Sequence, residues 1–164
     1  MRNLIKLCLD DNQLTEDAAL SLAGSQYLTQ VKELSLNYNE IGKVGLASIA
    51  NSETFACLTH IYVEQNNIEA EGLHALAMSP YMSNLIHLNI KSNAIESEGL
   101  HGLAIGNIKR LRYLNVQHND IGEDGFRVIS DSENFQRLVE LKIFDGNPGT
   151  TSESKNILKR AHNL

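Results

Sequence analysis

Five times along this chain the anchor pattern L-x-x-L-x-L-x-x-N-x-I returns, with Val and Ile replacing Leu at some anchors. The copies open at Leu4, Val31, Leu58, Leu85 and Leu111, so the period is 26 or 27 residues. The inner anchors are Leu7 and Leu9, Leu34 and Leu36, Ile61 and Val63, Leu88 and Ile90, and Leu114 and Val116. Each copy ends on a turn Asn with an aliphatic residue two places later: Asn12 and Leu14, Asn39 and Ile41, Asn66 and Ile68, Asn93 and Ile95, Asn119 and Ile121. A sixth copy opens with Leu138, Leu141 and Ile143 and breaks at Asp145-Gly146-Asn147-Pro148. A fixed period of this length constrains the fold more than any local propensity does. One unit cannot bury its own apolar face, so neighbouring units must stack and share a core.

The second half of each unit has a different rhythm. Small or apolar residues stand six, seven, ten and eleven places after each Asn, as in Gly45, Leu46, Ile49 and Ala50, or Gly72, Leu73, Leu76 and Ala77. That spacing is helical, so a unit is a short strand followed by an α-helix. Acids stand where the helices start (Glu16 and Asp17, Glu69 and Glu71, Glu96 and Glu98, Glu123 and Asp124) and complement the helix dipole. Each helix returns through one apolar plug: Leu28, Phe55, Met82, Ile108 or Phe135. The fourth unit is a residue short in that return, at Gly106-Asn107-Ile108.

Together these residues resemble leucine-rich repeats over nearly the whole chain. The strand-plus-α-helix unit is similar to the ribonuclease-inhibitor-like class, which includes the GTPase-activating protein of Ran and many intracellular receptor and effector solenoids. The resemblance implies an α/β solenoid, a right-handed β-α superhelix bent into a horseshoe, with a parallel sheet on the concave side and helices on the convex side. It implies one domain over residues 1–164, with units starting near 4, 31, 58, 85 and 111 and a degenerate sixth from 138. A capping helix is expected over about 152–162, with Ile157, Leu158 and Ala161 on one face and Lys159 and Arg160 near its end. The Asn column (Asn12, Asn39, Asn66, Asn93, Asn119) is expected to bond backbone groups where the chain leaves the sheet.

Residues that alternate with the core anchors should face the concave side. Equal positions then stack into columns. One reads Lys6, Glu33, His60, His87, Tyr113, Glu140, and the next reads Cys8, Ser35, Tyr62, Asn89, Asn115, Lys142. Phe144 is expected on the same face of the sixth unit. Tyr and similar amphipathic rings are favoured at the centres of protein interfaces. The expected function is recognition of a partner protein by this face, without enzymatic activity. The candidate contact residues are Tyr38, His60, Tyr62, Glu64, His87, Asn89, Lys91, Tyr113, Asn115 and His118. Two alternatives stand beside it. One is a GTPase-regulating or catalytic module of a larger protein, for which Arg110 or Arg112 beside the fifth strand is the element to test. The other is a structural spacer.

Other chemistries find little support. His60 and His87 have His118 or Glu64 as a third ligand at best, and no spacing encodes a tetrahedral metal site. No nucleophile, base and orienting group occur as a set, and a flat sheet excludes little water. Gly122-Glu123-Asp124-Gly125 lacks the alternating acids of a calcium loop. No cofactor is implied. A net charge of −6 without a basic stripe disfavours nucleic acid, and no stretch is long and apolar enough to span a membrane. Two cysteines, Cys8 and Cys57, are no disulfide framework, and no N-x-S/T sequon occurs. An intracellular setting follows as the expectation, either cytoplasmic or reached by a bacterial effector delivered into a host cytosol. The first unit lacks a polar cap, so a homodimer through its bare strand, or a longer parent protein, is also expected.

Overall fold

The computed structural model describes residues 3–162, and the side chains of 159–162 lie outside that description. The expected placement of Lys159, Arg160 and Ala161 therefore falls outside the described side chains.

Apolar alternation gives six strands of three residues each: β1 Lys6–Cys8, β2 Glu33–Ser35, β3 His60–Tyr62, β4 His87–Asn89, β5 Tyr113–Asn115 and β6 Glu140–Lys142. They form one parallel sheet in sequence order, and every pair is in the register of the repeat: Lys6, Glu33, His60, His87, Tyr113 and Glu140 lie side by side. Between the strands run helices α1 Glu16–Ala23, α2 Gly42–Ala50, α3 Glu69–Met78, α4 Glu96–Ile105 and α5 Glu123–Asp131, and α6 Ser152–His162 closes the chain. Parallel strands need such crossovers. The architecture is the α/β solenoid, with sheet and helices as two layers around one continuous core.

The centre of each strand points into that core. Leu34, Ile61, Leu88 and Leu114 are buried, as are the following anchors Leu36, Val63, Ile90 and Val116. The helix residues Leu46, Ile49, Leu73, Leu76, Leu100, Leu103, Phe126 and Ile129 meet them, and Phe55, Met82, Ile108 and Phe135 plug the return side. At the two ends the layer opens: Leu4, Leu7, Leu9, Leu14 and Leu22 in the first unit, and Leu138 and Leu141 in the sixth, are only partly buried.

Two columns hold the units in register. Each turn Asn sits between backbones that have left the sheet. Asn93 shows the pattern: its Oδ1 accepts from Asn66 N at 2.9 Å and Ile68 N at 3.2 Å, and its Nδ2 donates to the carbonyls of Val63 and Lys91. On the convex side Ser52, Ser79 and Ser132 each donate to a carbonyl of the preceding unit (Ala23, Ala50 and Ala104) and cap a single 3₁₀ turn. The short fourth unit has Gly106 at this place instead. Asn107 N donates to Ala77 O at 2.7 Å, and a Cβ on Gly106 would lie 2.5 Å from that same oxygen, so only glycine lets the shortened return pass.

Two details depart from the sequence expectation. The break at Asp145-Gly146-Asn147-Pro148 does not end the Asn column. Asn147 is buried and takes the sixth place: its Oδ1 accepts from Asn119 N at 2.8 Å and Ile121 N at 3.1 Å, and its Nδ2 donates to Val116 O. One extra residue precedes it, and Gly146, with φ +68°, absorbs the bend. The same insertion turns Phe144 away from the concave face. Its ring stacks on the core ring of Phe126 at 6.1 Å, and Lys155 of α6 lies 5.7 Å above it. The cap α6 starts with a reciprocal bond pair, Thr151 N to Ser154 Oγ and Ser154 N to Thr151 Oγ1, and buries Leu158 against the last unit.

Candidate concave recognition face

Strand register brings four rings together at the middle of the sheet. His87 is the hub. Its ring stacks on His60 at 5.6 Å and 20°, and on Tyr113 at 5.4 Å and 27°, and it meets Tyr62 obliquely at 4.8 Å. These separations follow the spacing of parallel strands, about 4.8 Å, so the rings form a row running across the strands. Tyr62, His87, Asn89 and Tyr113, with Glu140 and Lys142, line a shallow depression of about 230 Å³. Burial, then the neighbouring charge of His60, holds the His87 imidazole below the usual histidine range. Burial likewise raises the Tyr62 phenol, with Glu33 adding to it.

A second cluster lies beside the row, at the ends of the strands. Glu64 is its centre: it accepts from Lys91 Nζ at 2.9 Å, the Tyr38 hydroxyl at 3.1 Å and Asn89 Nδ2 at 3.3 Å. Burial opposes ionisation of Glu64, but the bonds from Lys91, Asn89 and Tyr38 together outweigh it and lower its pKa. Toward the first unit Asp10 plays a similar part, accepting from Ser35 Oγ at 2.7 Å and Asn37 N at 2.8 Å. Its pKa is also lowered, again because these bonds overcome its burial.

The ten candidate contact residues thus divide. His60, Tyr62, His87 and Tyr113 form the row, while Tyr38, Glu64, Asn89 and Lys91 form the adjoining polar cluster. Asn115 sits at the end of β5, where its Oδ1 accepts from Gln117 N. His118 stands apart on the turn, in the left-handed region at φ 53°, against Gly146, where any Cβ would collide with its ring. Tyr38 occupies the equivalent turn position at φ 57°, and half of its surface is exposed. Among the described residues no three of His, Cys, Asp and Glu converge to hold a metal ion. Cys8 and Cys57 are both free. The guanidinium of Arg110 donates to Asn84 Oδ1 and that of Arg112 to the carbonyl of Arg137.

Three contributors stand outside the candidate contact list, two of them already placed in the concave columns. Lys6 and Lys142 neutralise Glu33 and Glu140 at the two ends of the ring row, at 2.6 and 3.0 Å. The available signals were the neighbouring places of Lys6 and Glu33 in one column and the i, i+2 spacing of Glu140 and Lys142 on β6. Thr59, whose Oγ1 lies 2.8 Å from His60 Nδ1, orients that ring, and nothing in the repeat pattern marks it.

Comparison with known proteins agrees with this architecture. The family model described as leucine rich repeat matches residues 27–50, 56–77, 81–104 and 110–130, together more than half of the chain. Among solved structures, the crystal structure of Listeria monocytogenes InlP superposes with a TM-score of 0.53 at 14% identity, over 89% of this chain and 44% of that one. The matched region is thus less than half of InlP, and the likeness concerns the fold. No curated protein sequence matches this chain. Among the described residues no helix is long and apolar enough to cross a membrane.

Proposed function

The chain belongs to the leucine-rich repeat family, and on that premise we propose that it is a protein-recognition module, without catalysis of its own, whose concave sheet binds a partner protein. Repeats of this family generally mediate protein–protein interaction and are typically non-catalytic. The observation that carries the concave assignment is the ring row. Four amphipathic rings, His60, Tyr62, His87 and Tyr113, converge at the centre of a surface made of six strands. Aromatic anchors at the centre of a patch, with a polar rim around them, are the composition of interface hot spots. Glu64, Lys91, Tyr38 and Asn89 supply the rim on one side. A GTPase-regulating role is weaker, because no observation favours it: Arg110 and Arg112 each make one exposed bond to an adjacent unit, to Asn84 Oδ1 and Arg137 O.

Affinity capture with the wild-type chain and a Tyr62→Ala/Tyr113→Ala chain, both shown folded by circular dichroism, tests the assignment. A protein retained by the first and lost by the second supports it. Identical retention by both chains rejects it. A spacer would show no difference of any kind.

A homodimer through β1 is a second reading, for which an apolar groove beside that strand is the observation. Leu9, Leu14, Leu22 and Tyr27 line an apolar groove of about 730 Å³ beside that strand. Sedimentation velocity over a concentration series decides it: a Leu14→Glu change should abolish any dimer, and a monomer throughout removes the idea. The free cysteines and the lack of a glycosylation sequon favour an intracellular setting.

A further inference from the structure

The carboxylates that flank the ring row are already balanced. Lys6 holds Glu33, Lys91 holds Glu64 and Lys142 holds Glu140, at 2.6, 2.9 and 3.0 Å. The centre of the concave face is therefore close to electrically neutral, although the chain carries −6. Much of that charge stands at the helix starts, at Glu16, Asp17, Glu96, Glu98, Glu123 and Asp124. A neutral patch attracts neither an acidic nor a basic partner at long range.

Within the row the polar atoms are differently placed. The Thr59 hydroxyl bonds His60 Nδ1 at 2.8 Å, so that nitrogen of the His60 ring is occupied within the chain. A neutral imidazole keeps one ring nitrogen as an acceptor, whichever tautomer it takes. The Tyr38 hydroxyl is spent on Glu64, whereas among the described residues the hydroxyls of Tyr62 and Tyr113 and the ring nitrogens of His87 have no partner. Because His60, His87 and Tyr113 turn their faces toward one another, the row offers its edges outward, and those edges carry the unspent acceptors and hydroxyls.

We propose that this face takes an uncharged aromatic surface of a partner protein, one with its own hydrogen-bond donor such as an indole N–H or a phenol, and releases it when the His60–His87 pair is protonated. The proposal rests on the recognition role of the concave face. Protonation removes the imidazole acceptor at His87 and places two cations on rings only 5.6 Å apart, on a surface that a partner would dehydrate. The groups facing His87 do not rescue it. Glu33 from β2 and Glu140 from β6 would favour the cation, but Lys6 and Lys142 already hold them; His60 and Lys142 oppose it, and Tyr62 and Tyr113 are neutral.

Capped tripeptides test this, with the whole chain followed by NMR at Tyr113 and at the backbone amides of β3 to β5. The probes are acetyl-Gly-Trp-Gly-amide, acetyl-Gly-Lys-Gly-amide and acetyl-Gly-Asp-Gly-amide, each titrated at about pH 7.5 and about pH 5.5. The tryptophan probe should shift these signals at the higher pH and bind roughly two- to tenfold more weakly at the lower one. For scale, one side chain with the histidine pKa of short peptides, about 6.5, that must lose its proton to bind gives about tenfold over this range. In a folded His60→Phe/His87→Phe chain that pH dependence should vanish. A lysine or aspartate probe that binds better than tryptophan, or tryptophan binding that ignores pH in the wild type, overturns the proposal. So does pH dependence that survives the double change. If no probe binds, this partner chemistry is overturned, while the concave-face assignment remains to be judged by the capture experiment.

Discussion

A single amide, repeated, shows how position decides the value of a residue. Asn93 is buried and bonds five backbone groups, whereas Asn12 is exposed and its Nδ2 reaches only Asp10 O. Asn93→Ala should cost about 3 kcal/mol in urea unfolding, since several buried groups lose partners, while Asn12→Ala should cost less than about 1 kcal/mol. Equal losses would show that the column does not act through burial. The Asn column was legible from the repeat, but Asn147 was not, because the inserted residue shifts it out of the anchor spacing. Glu64 gives a pH test at the same scale. Its folded pKa is lowered, so its stabilising contribution is complete above the unfolded value of about 4.3 and is lost as pH falls through the folded one. Glu64→Gln should therefore flatten the acid side of the stability–pH curve. An unchanged acid limb would mean that the bonds from Lys91, Tyr38 and Asn89 do not favour the carboxylate.

At the scale of the element, the strand and helix of each unit could be read directly from the sequence, because periods of two and of three to four alternate within each repeat. The strand register followed from the anchors, so the columns across the sheet were fixed before side-chain geometry entered. The orientation of the rings was not legible, since it depends on contacts such as Thr59 with His60. Nor was the turning inward of Phe144, which a local insertion causes. The return segments depend on backbone approach. A Cβ at Gly106 would press on Ala77 O, but at Gly24 the nearest atom would be 3.6 Å away. Gly106→Ala should thus destabilise by about 1–3 kcal/mol, and Gly24→Ala should be neutral or stabilise by up to about 1 kcal/mol. Thermal unfolding of the two variants side by side separates close packing from a general intolerance of the return loops to side chains.

For the whole molecule, the solenoid separates two jobs. The core anchors repeat and carry the fold, whereas the concave columns vary from unit to unit and carry whatever is specific. The two ends are unlike: α6 covers the last unit with Leu158, while the first unit leaves Leu9, Leu14 and Leu22 around an open groove. A repeat pattern names the surface that is free to vary but not the partner that surface meets, because recognition depends on the few side chains the pattern leaves unconstrained. The central claim is that the partner seats on the sheet, and site-specific photo-crosslinking tests it most directly. Benzoylphenylalanine would replace Tyr113 on the concave face in one chain and the exposed Ile105 at the end of α4 in another. Irradiation with the captured partner should give a covalent adduct from position 113 and none from position 105. An adduct from 105 with none from 113 would place the partner on the helical side and contradict the account.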